Sequence, residues 1–167
     1  MSTLLVLGGA RSGKSRFAEN WVAAQGTCFA YIATAQALDE EMAQRIERHR
    51  ADRGDAWQTL EAPMDLAGSI ADAGGNSDAI LVDCLTLWLS NWILAEKHPP
   101  VSELVEAVIV CPRPIALVAN EVGLGIVPDN ALARRFRDEA GRLNQAVAAA
   151  VEQVVLMVAG LPVEVKN

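Results

Sequence analysis

Leu4-Leu5-Val6-Leu7 is an apolar run that passes directly into Gly8-Gly9-Ala10-Arg11-Ser12-Gly13-Lys14-Ser15. The order is strand, glycine-rich turn, then a helix beginning near Lys14, with Gly8, Gly13, Lys14 and Ser15 at the fixed positions of a phosphate-binding loop. Each residue type has a physical reason. Glycines let backbone N–H groups approach phosphate oxygens. The helix N-terminus adds unpaired donors and partial positive charge. Lys14 can reach the β- and γ-phosphates, and the Ser15 hydroxyl can ligate Mg²⁺. The pattern points to a nucleoside triphosphate and leaves the chemistry open, because ATPases, GTPases, kinases and transferases share it.

At 167 residues, half of them apolar, the chain suits one domain spanning 1–167 around one core. The net charge of −7, without a basic tail, argues against a broad nucleic-acid-binding face. Cys28, Cys84 and Cys111 are odd in number and lack metal-type spacing, so they read as small packed hydrophobes in a reducing compartment. Leu4 to Leu7 is too short for a signal peptide, and no apolar run reaches the ~18 residues of a membrane span. The expected location is the cytoplasm.

Short apolar runs alternate with helical patterns. Strands are expected at 3–7, 28–33, 79–82, 115–119 and 154–159, with a final edge strand at 163–165. Helices are expected at 14–24, 38–53 (with Asp39 as cap), 64–73, 85–96, 101–110 and 130–150, and Gly74-Gly75-Asn76 as a turn. The alternation predicts an α/β fold of P-loop NTPase type, a mostly parallel sheet with helices on both faces. Such sheets bind ligands beyond the carboxyl ends of their strands. The P-loop, Thr34, Asp83 and Asn120-Glu121 all fall at such ends.

Ala79-Ile80-Leu81-Val82-Asp83 is four apolar residues followed by an acid, the pattern by which these folds hold Mg²⁺ beside the P-loop. The competing role for Asp83 is a cap on the helix beginning near Leu85. A second cluster surrounds His49. Met42, Ile46, His49 and Arg53 share one helical face, and Arg45, Arg48, Arg50 and Arg53 put four arginines within nine residues. Two readings stand side by side: a histidine packed on a solvated basic face, or a phosphate site. In the second, arginines grip phosphate and a neutral imidazole attacks phosphorus, with the flanking cations lowering its pKa.

Seven segments, in order, carry a family resemblance: GGARSGKS (8–15), YIATA (31–35), EMAQRIERHRADR (41–53), WQTLEAP (57–63), DCLTLWLSN (83–91), NEVGLGIVP (120–128) and RFRDEAGRLNQ (135–145). The set resembles the bifunctional adenosylcobinamide kinase / adenosylcobinamide-phosphate guanylyltransferase family of cobalamin biosynthesis. The resemblance implies two activities. One phosphorylates adenosylcobinamide with ATP or GTP. The other transfers GMP from GTP to adenosylcobinamide phosphate through a guanylylated histidine, giving adenosylcobinamide-GDP and pyrophosphate. It implies His49 as nucleophile and Lys14 as the catalytic cation. It also implies nucleotide contacts from Gly8 to Ser15 and from Ala33, Thr34, Ala35, Arg50, Ala51, Asp52, Arg53, Glu61 and Asp83, with Mg²⁺ on Ser15 and Asp83. The family is typically a homotrimer. Between Asn91 and Pro112 this chain is shorter than the family pattern.

Glu121 reads equally as a base or ligand contact and as a brace for the Gly123–Gly125 turn. Arg137, Asp138, Asn144 and Gln145 belong to the long helix, at an interface or at the site. Trp21, Trp57, Trp88 and Trp92 read as core or interface residues rather than corrinoid platforms. A kinase of another small molecule needs no histidine nucleophile. A regulatory switch would carry a guanine-reading NKxD motif, which the sequence lacks.

Overall fold

A computed structural model describes residues 2–36, 40, 43, 44, 47 and 54–167. Seven strands form one sheet: β1 (Thr3–Gly8), β2 (Phe29–Ala33), β3 (Trp57–Glu61), β4 (Ala79–Asp83), β5 (Ile115–Asn120), β6 (Gln153–Val158) and β7 (Leu161–Lys166). Their order is β3-β2-β4-β5-β1-β6-β7. All neighbours are parallel except β6 and β7. Five helices are described: α1 (Lys14–Ala23), α2 (Leu66–Asn76), α3 (Leu85–Leu94), α4 (Val101–Val110) and α5 (Ala131–Ala150).

The central strands β1, β2, β4 and β5 are apolar on both faces because helices cover both. Two buried clusters result. One joins Leu5, Ile32, Ile80, Val82 and Leu117 to α2, α3, α4 and α5 through Ile70, Trp88, Leu104 and Leu143. The other joins Leu4, Val6, Tyr31, Leu81 and Val118 to Ala18 and Val22 of α1. Trp88 is a core residue, as expected, and its indole N–H donates to Met64 O at 2.8 Å.

Two expectations are corrected. Trp57–Glu61 was not expected as a strand, yet it pairs with β2 along its whole length. It is a polar sheet edge, anchored by Trp57 against Phe29 with ring centroids 5.0 Å apart. Gly74-Gly75-Asn76 is not a turn but the last turn of α2. Gly74 is buried against Pro112, Arg113 Nε donates to Gly74 O at 3.2 Å, and Asn76 and Ser77 cap back onto Asp72 and Ala73. Tertiary packing there overrides the low helix propensity of glycine. The expected helix at 38–53 falls mostly outside the described residues, together with its proposed cap Asp39.

Candidate active site

The site grows from the end of β1. Gly8 C=O accepts from Glu121 N at 3.0 Å, which ties the P-loop to the residue after β5. The loop then turns through Arg11 at φ 56° and Gly13 at φ 91°. No side chain caps α1 and its first turn holds no acid. An uncapped helix start with no acid in its first turn suits an anion. Lys14 Nζ folds back to Gly9 O at 3.1 Å, curling over the loop.

Gly160 is a contributor that the sequence reading missed. The β6–β7 hairpin turns through Ala159 at φ 51° and Gly160 at φ 82°, a two-residue turn suited to joined antiparallel strands. Its Gly160 N–H donates to Ser12 O at 3.0 Å, so the hairpin tip braces the P-loop from behind. A Gly-containing turn after an apolar strand was visible in the sequence. Its contact with a loop almost 150 residues upstream was not.

A methyl group on Gly13 would sit 3.4 Å from Gly160 Cα, at a backbone angle that side chains rarely adopt. Gly13→Ala is expected to cost about 1–2 kcal/mol in urea unfolding and to weaken nucleotide binding. Gly9→Ala, with open space around it, is expected to change stability by less than about 0.5 kcal/mol.

Asp83 ends β4, and β5 lies between β4 and β1. Its strand is thus one place removed from the P-loop strand rather than beside it. Tyr31 Oη donates to Asp83 Oδ2 at 2.8 Å, fixing the carboxylate. Asp83 does not cap α3: Cys84 does, its Sγ accepting from Leu87 N at 3.4 Å. This removes the structural alternative weighed for Asp83. The Cys84 thiol is pushed up to about 11, first by burial and then by the adjacent Asp83 charge, while Lys14 acts in the opposite direction. That thiol stays protonated near neutrality.

Thr34 is wholly buried. Its N–H donates to Asp83 O at 3.2 Å, and its hydroxyl donates to Cys84 O at 2.7 Å and accepts from Cys84 N at 2.9 Å. Asn91 Nδ2 donates to both Thr34 O and Pro63 O at 2.9 Å. Ala33 and Ala35 flank this residue, and Glu61 lies exposed at the end of β3, in register with Ala33. The P-loop, Ala33 to Ala35, Glu61 and Asp83 all lie at one rim of the sheet. His49, Arg50, Ala51, Asp52 and Arg53 lie outside the described residues.

Glu121 Oε1 accepts from Gly123 N, which gives its turn-bracing role a partner. Asn144 is buried and donates to Asn120 O at 3.3 Å, so it supports the end of β5. Arg137 and Asp138 pair with each other at 3.3 Å.

A family model described as cobinamide kinase / cobinamide phosphate guanyltransferase matches residues 4–165. The chain belongs to this family. Three relatives extend the match. The bifunctional adenosylcobalamin biosynthesis protein CobP of Pseudomonas aeruginosa is 49% identical, over 98% of this chain and 96% of its own. The proteins named CobU from Salmonella typhimurium and Escherichia coli are each 42% identical, over 98% of this chain and 99% of theirs. Their alignments run to 180 and 181 positions against 167 residues here, so this family member is shorter than those two. No helix among the described residues is long and apolar enough to cross a membrane.

Proposed function

We propose that the chain is a bifunctional enzyme of cobalamin biosynthesis. It phosphorylates adenosylcobinamide with ATP or GTP and then transfers GMP from GTP to adenosylcobinamide phosphate. The observation that carries this is the uncapped helix behind a P-loop, with Asp83 ending a strand at the same rim of the sheet, in a chain matched to the family almost end to end.

In the kinase step the substrate hydroxyl oxygen bonds to the γ-phosphorus as the γ–β bridging bond breaks, the diphosphate departs with its electron pair, and the hydroxyl proton passes to solvent. Lys14 and the first-turn amides hold the phosphate oxygens as charge shifts toward the diphosphate. In the transfer step a nitrogen of His49 bonds to the α-phosphorus of GTP, and pyrophosphate departs with the electron pair of the broken bond. A phosphate oxygen of the cobinamide phosphate then displaces the imidazole, giving adenosylcobinamide-GDP. Arg50 and Arg53 steady the phosphates flanking His49. Ala33, Ala35 and Glu61 border the nucleotide, as do Ala51 and Asp52.

The oxygen donors fit Mg²⁺, which takes one or two carboxylates together with substrate phosphates. Asp83, held by Tyr31, is such a carboxylate, and the half-buried Ser15 hydroxyl opens α1. When bound there, Mg²⁺ supplies charge neutralisation on the phosphates.

The assembly reading is a homotrimer. Leu124 and Ile126 are 86% and 98% exposed on the loop after β5, and apolar side chains so exposed favour a covering partner. Three free cysteines accord with a cytoplasmic setting. The deciding experiment measures pyrophosphate release from GTP with and without adenosylcobinamide phosphate. Sustained turnover only in its presence is expected; turnover indifferent to it rejects the transferase reading.

A further inference from the structure

Thr34 turns its polar groups inward. Its N–H, its carbonyl and its hydroxyl are all engaged inside the protein, and the side chain is 0% exposed. What those bonds hold is the backbone immediately around Asp83. Three of them, at 3.2, 2.9 and 2.7 Å, fix the Asp83 carbonyl and both the N–H and C=O of Cys84. Asn91, from the middle of α3, then fixes Thr34 itself. Its amide spends one hydrogen on Thr34 O and the other on Pro63 O, so it links the loops that follow β2 and β3. A chain of bonds therefore runs from Pro63 through Asn91 and Thr34 to the residue that follows Asp83.

We infer that Thr34 and Asn91 are positioning residues that clamp three strand ends together and thereby set the Asp83 carboxylate toward the triphosphate-bound cation. The inference deepens the proposed function and rests on its assignment of Asp83 as a Mg²⁺ ligand. The physics favours a clamp over incidental bonding. A threonine hydroxyl that both donates and accepts across one residue resists rotation. A half-buried amide with two carbonyl acceptors cannot be replaced by an apolar group without taking the donor from both carbonyls, and Thr34 O lies in a wholly buried residue. Tyr31 fixes the Asp83 carboxylate from β2, one strand over. Thr34 fixes its backbone, so the side chain is held at both ends.

The test uses the full chain and four variants: Thr34→Val, Thr34→Ser, Asn91→Ala and, as reference, Asp83→Asn. GTP binding is measured by calorimetry over graded Mg²⁺, and amide exchange is measured at Cys84. Thr34→Val is expected to raise the half-saturating Mg²⁺ roughly 10- to 100-fold, as loss of an outer partner of a metal ligand does, and to speed exchange at Cys84. Thr34→Ser, which keeps the hydroxyl, is expected to stay within about 3-fold of the parent. Asn91→Ala is expected to shift Mg²⁺ dependence in the same direction, and it decides the matter if Thr34→Val does not fold. Parent-like Mg²⁺ dependence in both Thr34→Val and Asn91→Ala, while Asp83→Asn shifts, overturns the clamp. If Asp83→Asn itself leaves Mg²⁺ dependence unchanged, the metal assignment fails. The clamp is then judged by exchange alone, and unchanged exchange at Cys84 in the variants overturns it too.

Discussion

A His49→Asn protein incubated with α-labelled GTP and Mg²⁺ is expected to carry no acid-labile label, while the parent is labelled on one peptide containing residue 49. Removing a nucleophile from a covalent mechanism costs on the order of 10⁴-fold or more, so transfer of GMP to cobinamide phosphate should fall to background. Phosphorylation of adenosylcobinamide should persist within about 3-fold, because its nucleophile is the substrate hydroxyl and no bond to imidazole forms. Asparagine is the informative replacement, since it keeps polarity and approximate size while lacking a nucleophilic ring nitrogen. Undiminished labelling of the variant would falsify the assignment of His49. A label mapping to another histidine can only point to His98, the one other imidazole in the chain, which lies exposed after α3.

The parts of the fold legible in the sequence were those governed by local periodicity. β1, β2, β4 and β5 are continuous apolar runs with punctuation on either side, and α4 begins and ends where proline and its flanking residues dictate. The P-loop was legible because Gly8, Gly13, Lys14 and Ser15 fall at fixed spacings within eight residues. What was not legible was decided across the sheet. The edge strand β3 exists because Trp57 finds Phe29, and α2 continues through two glycines because Pro112 and Arg113 close over its end. The same division runs through the site. The place of Asp83 at a strand end was legible from the apolar run before it. Tyr31, Asn91 and Gly160, which hold Asp83, Thr34 and Ser12, were not, because each acts across a sequence separation that no spacing rule records.

Lys14→Gln is expected to lower both activities together, by about 10²- to 10³-fold in kcat, the loss that follows removal of one preorganised donor to a developing anion. In the proposed mechanism the kinase and transferase steps break different bonds of the triphosphate, yet each leaves negative charge on oxygens assigned to the same loop. A variant of the shared cradle therefore reports on both, whereas the His49 variant reports on one. Stability is expected to change by less than about 0.5 kcal/mol, because Lys14 is half-buried and its bond to Gly9 O is local to the loop. Matching thermal denaturation midpoints for parent and variant separate lost chemistry from lost folding. Kinetics at saturating nucleotide then decide between one cradle and two. If Lys14→Gln abolished phosphorylation but left labelling from α-labelled GTP at the parent rate, guanylyl transfer would be using a second nucleotide site. The joint role given to residues 8–15 would then be wrong. Parallel loss of both, beside selective loss in His49→Asn, is the pattern that one triphosphate cradle serving two nucleophiles requires.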